Sequence, residues 1–427
     1  MSKSQSRPWA WVPTLYFFEG IPYFLVNVVS VTLFKRLGMD NASLAALTSL
    51  LYLPWVIKPL WSPLVDVFKT KRWWILVMQT AMAVCFVALA FSLPARVGRP
   101  VGAFVPALVL FYIGAMLSST HDIAADGFYM IALDKHDQSL FVGIRSTFYR
   151  ISSVFGQGVI VVVAGLLENR WGDIPKAWMI TLLASSAILA ILSVWHCWSL
   201  PECEVQTDRG ATASQDRSFW GAFATFFRKP GIGLALAFML LFRLPEAFSV
   251  KMLTPFMLDP AELGGLGLTT AQSGLVYGTV GVIALTIGGI LGGIFAAKVG
   301  LRKAMWPMAL SLALPCAVYL YMAVVQPAHL WVIYLCVAFD QFGYGFGFTA
   351  YMLYLMHFSD GPYKTSHYAI CTAFMALSMM VPGFFAGMMQ EALGYTGFFV
   401  VVMACCLATV AVTALLPSRI DATYGKK

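Results

Sequence analysis

The nine residues from Val159 to Leu167 are apolar on every face, whichever way a helix is turned, and runs of this kind recur along the whole chain. A helix needs about 20 mostly apolar residues to cross a hydrocarbon core of about 30 Å. Inside lipid every backbone polar group must be bonded within the protein, so only helices or closed barrels can span it. A barrel requires alternation of apolar and polar residues, and the runs here do not alternate. Helical spans are therefore expected at 11–34, 43–66, 73–93, 101–131, 141–167, 177–199, 231–257, 271–297, 305–325, 330–357, 366–390 and 396–416. Composition agrees: 59% of the 427 residues are hydrophobic and 11% are charged, against about a quarter charged in soluble domains.

A net charge of +8 would suit nucleic acid, but the basic residues sit in short loops between apolar runs. They report orientation instead, because lysine and arginine concentrate on the cytoplasmic side. With an inward N-terminus, seventeen Lys/Arg fall on the inner side, whereas the outer loops hold six: Lys35, Arg36, Arg96, Arg99, Arg170 and Lys176. A multi-pass protein of the bacterial inner membrane, with both termini cytoplasmic, is expected. No cleavable signal pattern is evident at the N-terminus. The eight cysteines show no CxxC pair and mostly lie in apolar runs, as packing residues do.

The polar stretch Pro201 to Asp216 divides the chain into a first bundle over 1–200, a linker over 201–230 and a second bundle over 231–427. Phe219, Phe223 and Phe226, followed by Arg228 and Lys229, suggest an interfacial helix in the linker; a plain start to the seventh span fits equally. Ser62 to Arg72 and Gly293 to Lys303 carry a small residue and a basic pair at a constant offset of 231 residues. Parallel repeats of this kind characterise facilitator-type carriers. The expected fold is all-α, with twelve transmembrane helices in two pseudo-symmetric six-helix bundles.

Particular residues narrow the resemblance. Asp66 to Arg72 resembles a degenerate form of the facilitator superfamily's loop motif. Tyr52-Leu-Pro-Trp-Val-Ile-Lys58-Pro-Leu-Trp-Ser-Pro-Leu-Val-Asp66 is similar to the muropeptide permease (AmpG-type) family. So are Ser119-Thr-His-Asp122-Ile-Ala-Ala-Asp126, Tyr149-Arg150 with Gly156, and Asp340-Gln-Phe with Gly343, Gly345 and Gly347. Glu19, where a neutral residue is expected, Asp340 in place of glutamate, and Arg243-Leu-Pro-Glu246 depart from that pattern. The wider group includes siderophore permeases and acetyl-CoA carriers.

A charge placed inside a bilayer costs at least about 2.5–3.5 kcal/mol, so intramembrane ions are functional candidates. Counted from the cytoplasmic helix ends, Glu19, Lys58, Asp122 and Arg150 share a depth of about 12–14 Å. Two acids and two bases at one depth can line a cavity, or can lock the bundle as a buried network. In the second half, Arg243 and Glu246 are i,i+3 neighbours and Asp340 lies mid-span. Arg243 can clamp a carboxylate or phosphate with its fork, or can pair with Glu246 or Asp340. Lys251, nearer the outer end, can snorkel. Asp66, Arg72, Asp126 and Arg145 read as a cytoplasmic gate. Tyr149, with Tyr16, Tyr23, Tyr52, Tyr277 and Tyr344, is a candidate for lining a sugar site. His121 and His357 stand isolated, without the spacing of metal ligands.

No P-loop accompanies these residues, nor any nucleophile–base motif, so neither an ATP-driven pump nor an intramembrane enzyme is expected. The resemblance implies a monomeric secondary carrier that uses no cofactor beyond a coupling proton and imports amino-sugar or muropeptide fragments by alternating access. A siderophore importer is the alternative within the class, and a solute sensor without transport is the alternative outside it.

Overall fold

The computed structural model describes residues 8–133, 135–203, 219–361, 364–416 and 420, and among these every regular element is helical. Ten stretches are long and apolar enough to cross a membrane. Spans one to nine are Pro8–Arg36, Asn41–Leu60, Lys71–Ser92, Val101–Ala132, Ile144–Trp171, Ile174–Ser199, Ile232–Leu258, Thr270–Val299 and Leu301–Val325. Span ten is the 30-residue helix Leu330–Ser359, which is not among those ten stretches. The last stretch, within Lys364–Leu415, is two spans, because Gly394 takes φ +67° and breaks the helix. Twelve spans thus stand where the sequence places them.

Several spans are interrupted. Span two runs as Asn41–Leu50, Leu53–Ile57, a 3-10 turn at Lys58–Leu60, and Ser62–Val67. Pro54, Pro59 and Pro63 account for the breaks, since each removes an N–H and crowds the preceding turn. Span one passes through a π-helical turn at Leu25–Val29, and the Asn27 amide donates to the Tyr23 carbonyl at 3.1 Å. Matching π turns occupy Phe155–Ile160 in span five and Gly274–Gly281 in span eight. Such turns displace the hydrogen-bond ladder and frequently mark functional sites.

The chain forms two compact units, Met1–Met39 with Ile57–Asp216 and Asp40–Val56 with Arg217–Lys427. Within the second unit, the first half of span two, Asn41–Leu50, packs on spans seven and eleven. In the first unit, spans one and five touch closely, a Cβ at Gly156 lying 2.8 Å from that of Phe24. In the second, span ten is wedged between spans eight and nine. A Cβ at Gly345 would collide with the Leu285 carbonyl, and one at Gly343 or Gly347 with the carbonyls of Ser311 or Met308. The linker helix Phe219–Phe227 is separate from span seven, with Gly231 at φ +77° between them. Its Phe226 is fully buried against Phe358, His367 and Phe374. Lys229 then donates to the carbonyls of Phe358 and Asp360 at the end of span ten.

Candidate solute and proton site

In the first unit, the proline-rich segment that breaks span two delivers Lys58 on a 3-10 turn. Its ammonium donates to Asp122 on span four at 2.5 Å, and both side chains are partly exposed. One helical turn along span four, Asp126 pairs with Arg145 at 2.7 Å. The Arg145 guanidinium also lies over the rings of Tyr16 and Tyr129, 4.3 and 5.1 Å from their centroids. Tyr16 donates to Asp126 at 3.4 Å. Glu19, three residues along span one, is buried within hydrogen-bonding reach of Asp122 and close to Asp126 and Arg145. Its Oε2 has no hydrogen-bond partner.

The cluster differs from the balanced quartet expected on sequence. Three carboxyls, Glu19, Asp122 and Asp126, face two cations, Lys58 and Arg145, and among the described residues Glu19 has no ion pair of its own. Arg150, the fourth member of that quartet, is partly buried on the same helix as Arg145. Five residues turn a helix by about 140° beyond a full revolution, so Arg145 and Arg150 present different faces. Arg145 and Asp126, grouped on sequence with the gate, lie beside Glu19 and Asp122. Tyr149 packs its ring near those of Tyr23 and Phe24.

Of the remaining gate residues, the Asp66 side chain lies outside those described. Arg72, at the start of span three, donates to the carbonyls of Leu200 and Cys197 and pairs with Glu202 at 3.2 Å. It thus satisfies the open end of span six, whose last carbonyls have no partners within the helix.

In the second unit, span seven breaks at Arg243, between Ile232–Leu241 and Leu244–Leu258. Arg243 binds Glu246 through two bonds of 2.8 and 3.0 Å and donates to the Tyr344 hydroxyl at 2.8 Å. Its pair is thus with Glu246 and not with Asp340. Asp340 is buried and accepts from the Tyr319 hydroxyl and the Gln341 amide.

Two buried polar networks escaped the sequence reading. His121 is not isolated: the Gln79 side chain bridges it to His196, which reaches the Thr14 hydroxyl, with steps of 2.9–3.0 Å. The glutamine amid the apolar run of span three was the one available signal. Within the second unit, Asn41 donates to Asp259, Gln390 and Tyr395, and Tyr395 donates to Asp259 at 2.6 Å. These residues are distant in sequence, and no local pattern joins them.

A profile of the Major Facilitator Superfamily matches residues 14–366. The chain belongs to that superfamily. It is a multi-pass membrane transporter of small-molecule solutes and not an enzyme. This facilitator is 25% identical over 394 residues to the anhydromuropeptide permease of Escherichia coli K12, covering 90% of this chain and 74% of that one. It is 23% identical over 416 residues to a Rickettsia felis relative carrying the name AmpG 4, covering 94% and 95%. Relatives of that name accord with the resemblance read from Tyr52–Asp66 and Ser119–Asp126. Among solved structures, a bacterial homolog of the human lysosomal transporter Spinster superposes with TM-score 0.73 at 14% identity, covering 98% of both chains. The D-xylose–proton symporter gives 0.72 at 15%, covering 97% of this chain and 98% of that one. At such identities the likeness establishes the facilitator's fold.

Proposed function

We propose that this facilitator is a proton-coupled symporter that imports amino-sugar or muropeptide fragments of the cell wall across the bacterial inner membrane, with both termini cytoplasmic. The relatives named as muropeptide permeases supply the solute class. The observation that carries the coupling is Glu19, a buried carboxyl with an unpartnered oxygen beside two formed ion pairs. A protonated Glu19 balances three acids against two bases. An ionised one leaves a surplus charge in a poorly solvated place, which is costly. Solute binding that draws Lys58 or Arg145 from its carboxylate would change that balance, which is how occupancy and protonation become linked. In this reading Lys58, Asp122, Asp126 and Arg145 form the responsive shell, and Arg243, Glu246 and Asp340 the corresponding polar groups of the second unit.

The test uses purified protein in proteoliposomes, with a labelled anhydro-muramyl sugar or muropeptide as solute and ferric siderophores as competitors. Accumulation of the muramyl solute under an inward proton gradient, collapsed by a protonophore, is the expected result. Siderophore uptake in its place would overturn the solute assignment, and uptake indifferent to the gradient would overturn the coupling.

A further inference from the structure

Lys251 lies on the Leu244–Leu258 helix of span seven, near enough to its outer end for snorkelling to be expected. The structure buries it instead, with 5% of the residue exposed. Its ammonium donates to the Thr48 hydroxyl at 3.1 Å and lies 5.5 Å from the centroid of the Tyr52 ring. Lys58, Arg145 and Arg243 each meet a carboxylate. Lys251 meets none among the described residues. An ammonium removed from water with only a neutral hydroxyl as partner is costly to keep charged, and two of its three donors remain to be used.

A second unsatisfied group stands beside it. Ser49 Oγ is buried with no hydrogen-bond partner. Both side chains converge on Gly383 of span eleven, where a Cβ would come 2.7 Å from Ser49 Oγ and 3.3 Å from Lys251 Cε. Thr48, Ser49, Lys251 and Gly383 all belong to the second unit. Having no side chain, Gly383 lets the backbone of span eleven lie against both groups, where a Cβ would crowd them. An ammonium and a free hydroxyl side by side match a carboxylate, whose two oxygens accept several hydrogen bonds and whose charge pairs with the lysine.

We infer that Lys251, with Thr48 and Ser49, forms an anion subsite that takes a carboxylate of the transported solute. The inference rests on the proposed import of an acidic wall fragment and assigns its acidic group to a residue outside the Glu19 cluster. There the cations Lys58 and Arg145 already hold carboxylates, whereas Lys251, bonded to Thr48, holds none among the described residues.

The experiment compares binding of an anhydro-muramyl acid and its carboxyl amide to the full-length protein, as wild type, Lys251→Met, Lys251→Arg and Ser49→Ala. Wild type should prefer the acid. Lys251→Met should lose affinity for the acid by roughly 10- to 150-fold, the range of a hydrogen bond between charged partners, with affinity for the amide unchanged. Lys251→Arg should retain the preference, and Ser49→Ala should weaken it partially. An unchanged acid-to-amide ratio in Lys251→Met overturns the subsite and leaves the lysine a packing residue. If wild type binds neither muramyl form, the muropeptide reading fails. The subsite is then read by thermal stabilisation with lactate against lactamide, which should favour lactate in wild type and not in Lys251→Met. Stabilisation by chloride or phosphate that needs Lys251, without discrimination between lactate and lactamide, identifies a resident inorganic anion and overturns the solute role.

Discussion

At the scale of single residues, the chain's sparse intramembrane charges are not equivalent, and their partners separate them. Glu19 has an unpartnered oxygen, whereas Lys58 and Asp122 satisfy each other. Glu19→Gln keeps the shape and removes the exchangeable proton, so it should preserve solute binding and counterflow while abolishing accumulation driven by a proton gradient. Uptake that still follows the gradient would assign the proton elsewhere. Lys58→Met strands the Asp122 carboxylate, with an expected loss of about 1–3 kcal/mol of stability. Adding Asp122→Asn should recover part of it, and a double-mutant cycle of melting temperatures measures the coupling. Sequence alone could find Glu19, Lys58 and Asp122, because a charge in an apolar run is conspicuous. It could not show that Arg145 pairs with Asp126, since that depends on which face of one helix meets span four. For the same reason Lys251 read as a snorkelling residue: depth along a helix is visible in sequence, whereas the neighbour across from it is not.

At the scale of elements, helix existence was legible and helix continuity was not. Hydrophobic runs mark where the chain must span, but the breaks in spans two and seven follow prolines at Pro54, Pro59, Pro63 and Pro245 that a hydropathy pattern passes over. Several glycines of spans eight and ten let the helices approach closely, and the structure shows which of them the packing uses. Gly345→Ala would push a methyl into the Leu285 carbonyl and should cost about 1–3 kcal/mol, as overpacking does. Gly293→Ala, with open space at its Cβ, should be neutral or stabilising by up to about 1 kcal/mol, since alanine is the better helix former. Thermal melts in detergent distinguish the two; equal effects would contradict the packing. Arg72→Ala removes the donors at the end of span six and should lower the melting temperature while leaving equilibrium solute affinity in place. A selective loss of affinity would show that Arg72 acts on the solute.

At the scale of the whole molecule, the repeat read from Ser62–Arg72 and Gly293–Lys303 reaches the backbone. Lys69 has φ +58° and Gly300 φ +81°, and the same 231-residue offset relates them. In each half a residue of positive φ turns the chain immediately before the basic residues that open the next span. This recurrence also bears on orientation. Both basic turns lie between an even-numbered span and the next odd one, so they fall on one side of the membrane, the side that gathers seventeen lysines and arginines against six opposite. Positive charge in short loops resists translocation, so that side should be cytoplasmic. The consequence is measurable in intact cells with a membrane-impermeant thiol reagent, in a background lacking the native cysteines. Gln326→Cys, in the connection between spans nine and ten, should be labelled from outside. Arg302→Cys, at the start of span nine, should be labelled only after the membrane is opened. The reverse pattern would invert the topology and with it the direction assigned to Glu19 coupling, because the Glu19 cluster would then be counted from the other face. Equal labelling of both sites in sealed cells would mean that the two turns do not lie on opposite sides, and the twelve-span count itself would fall.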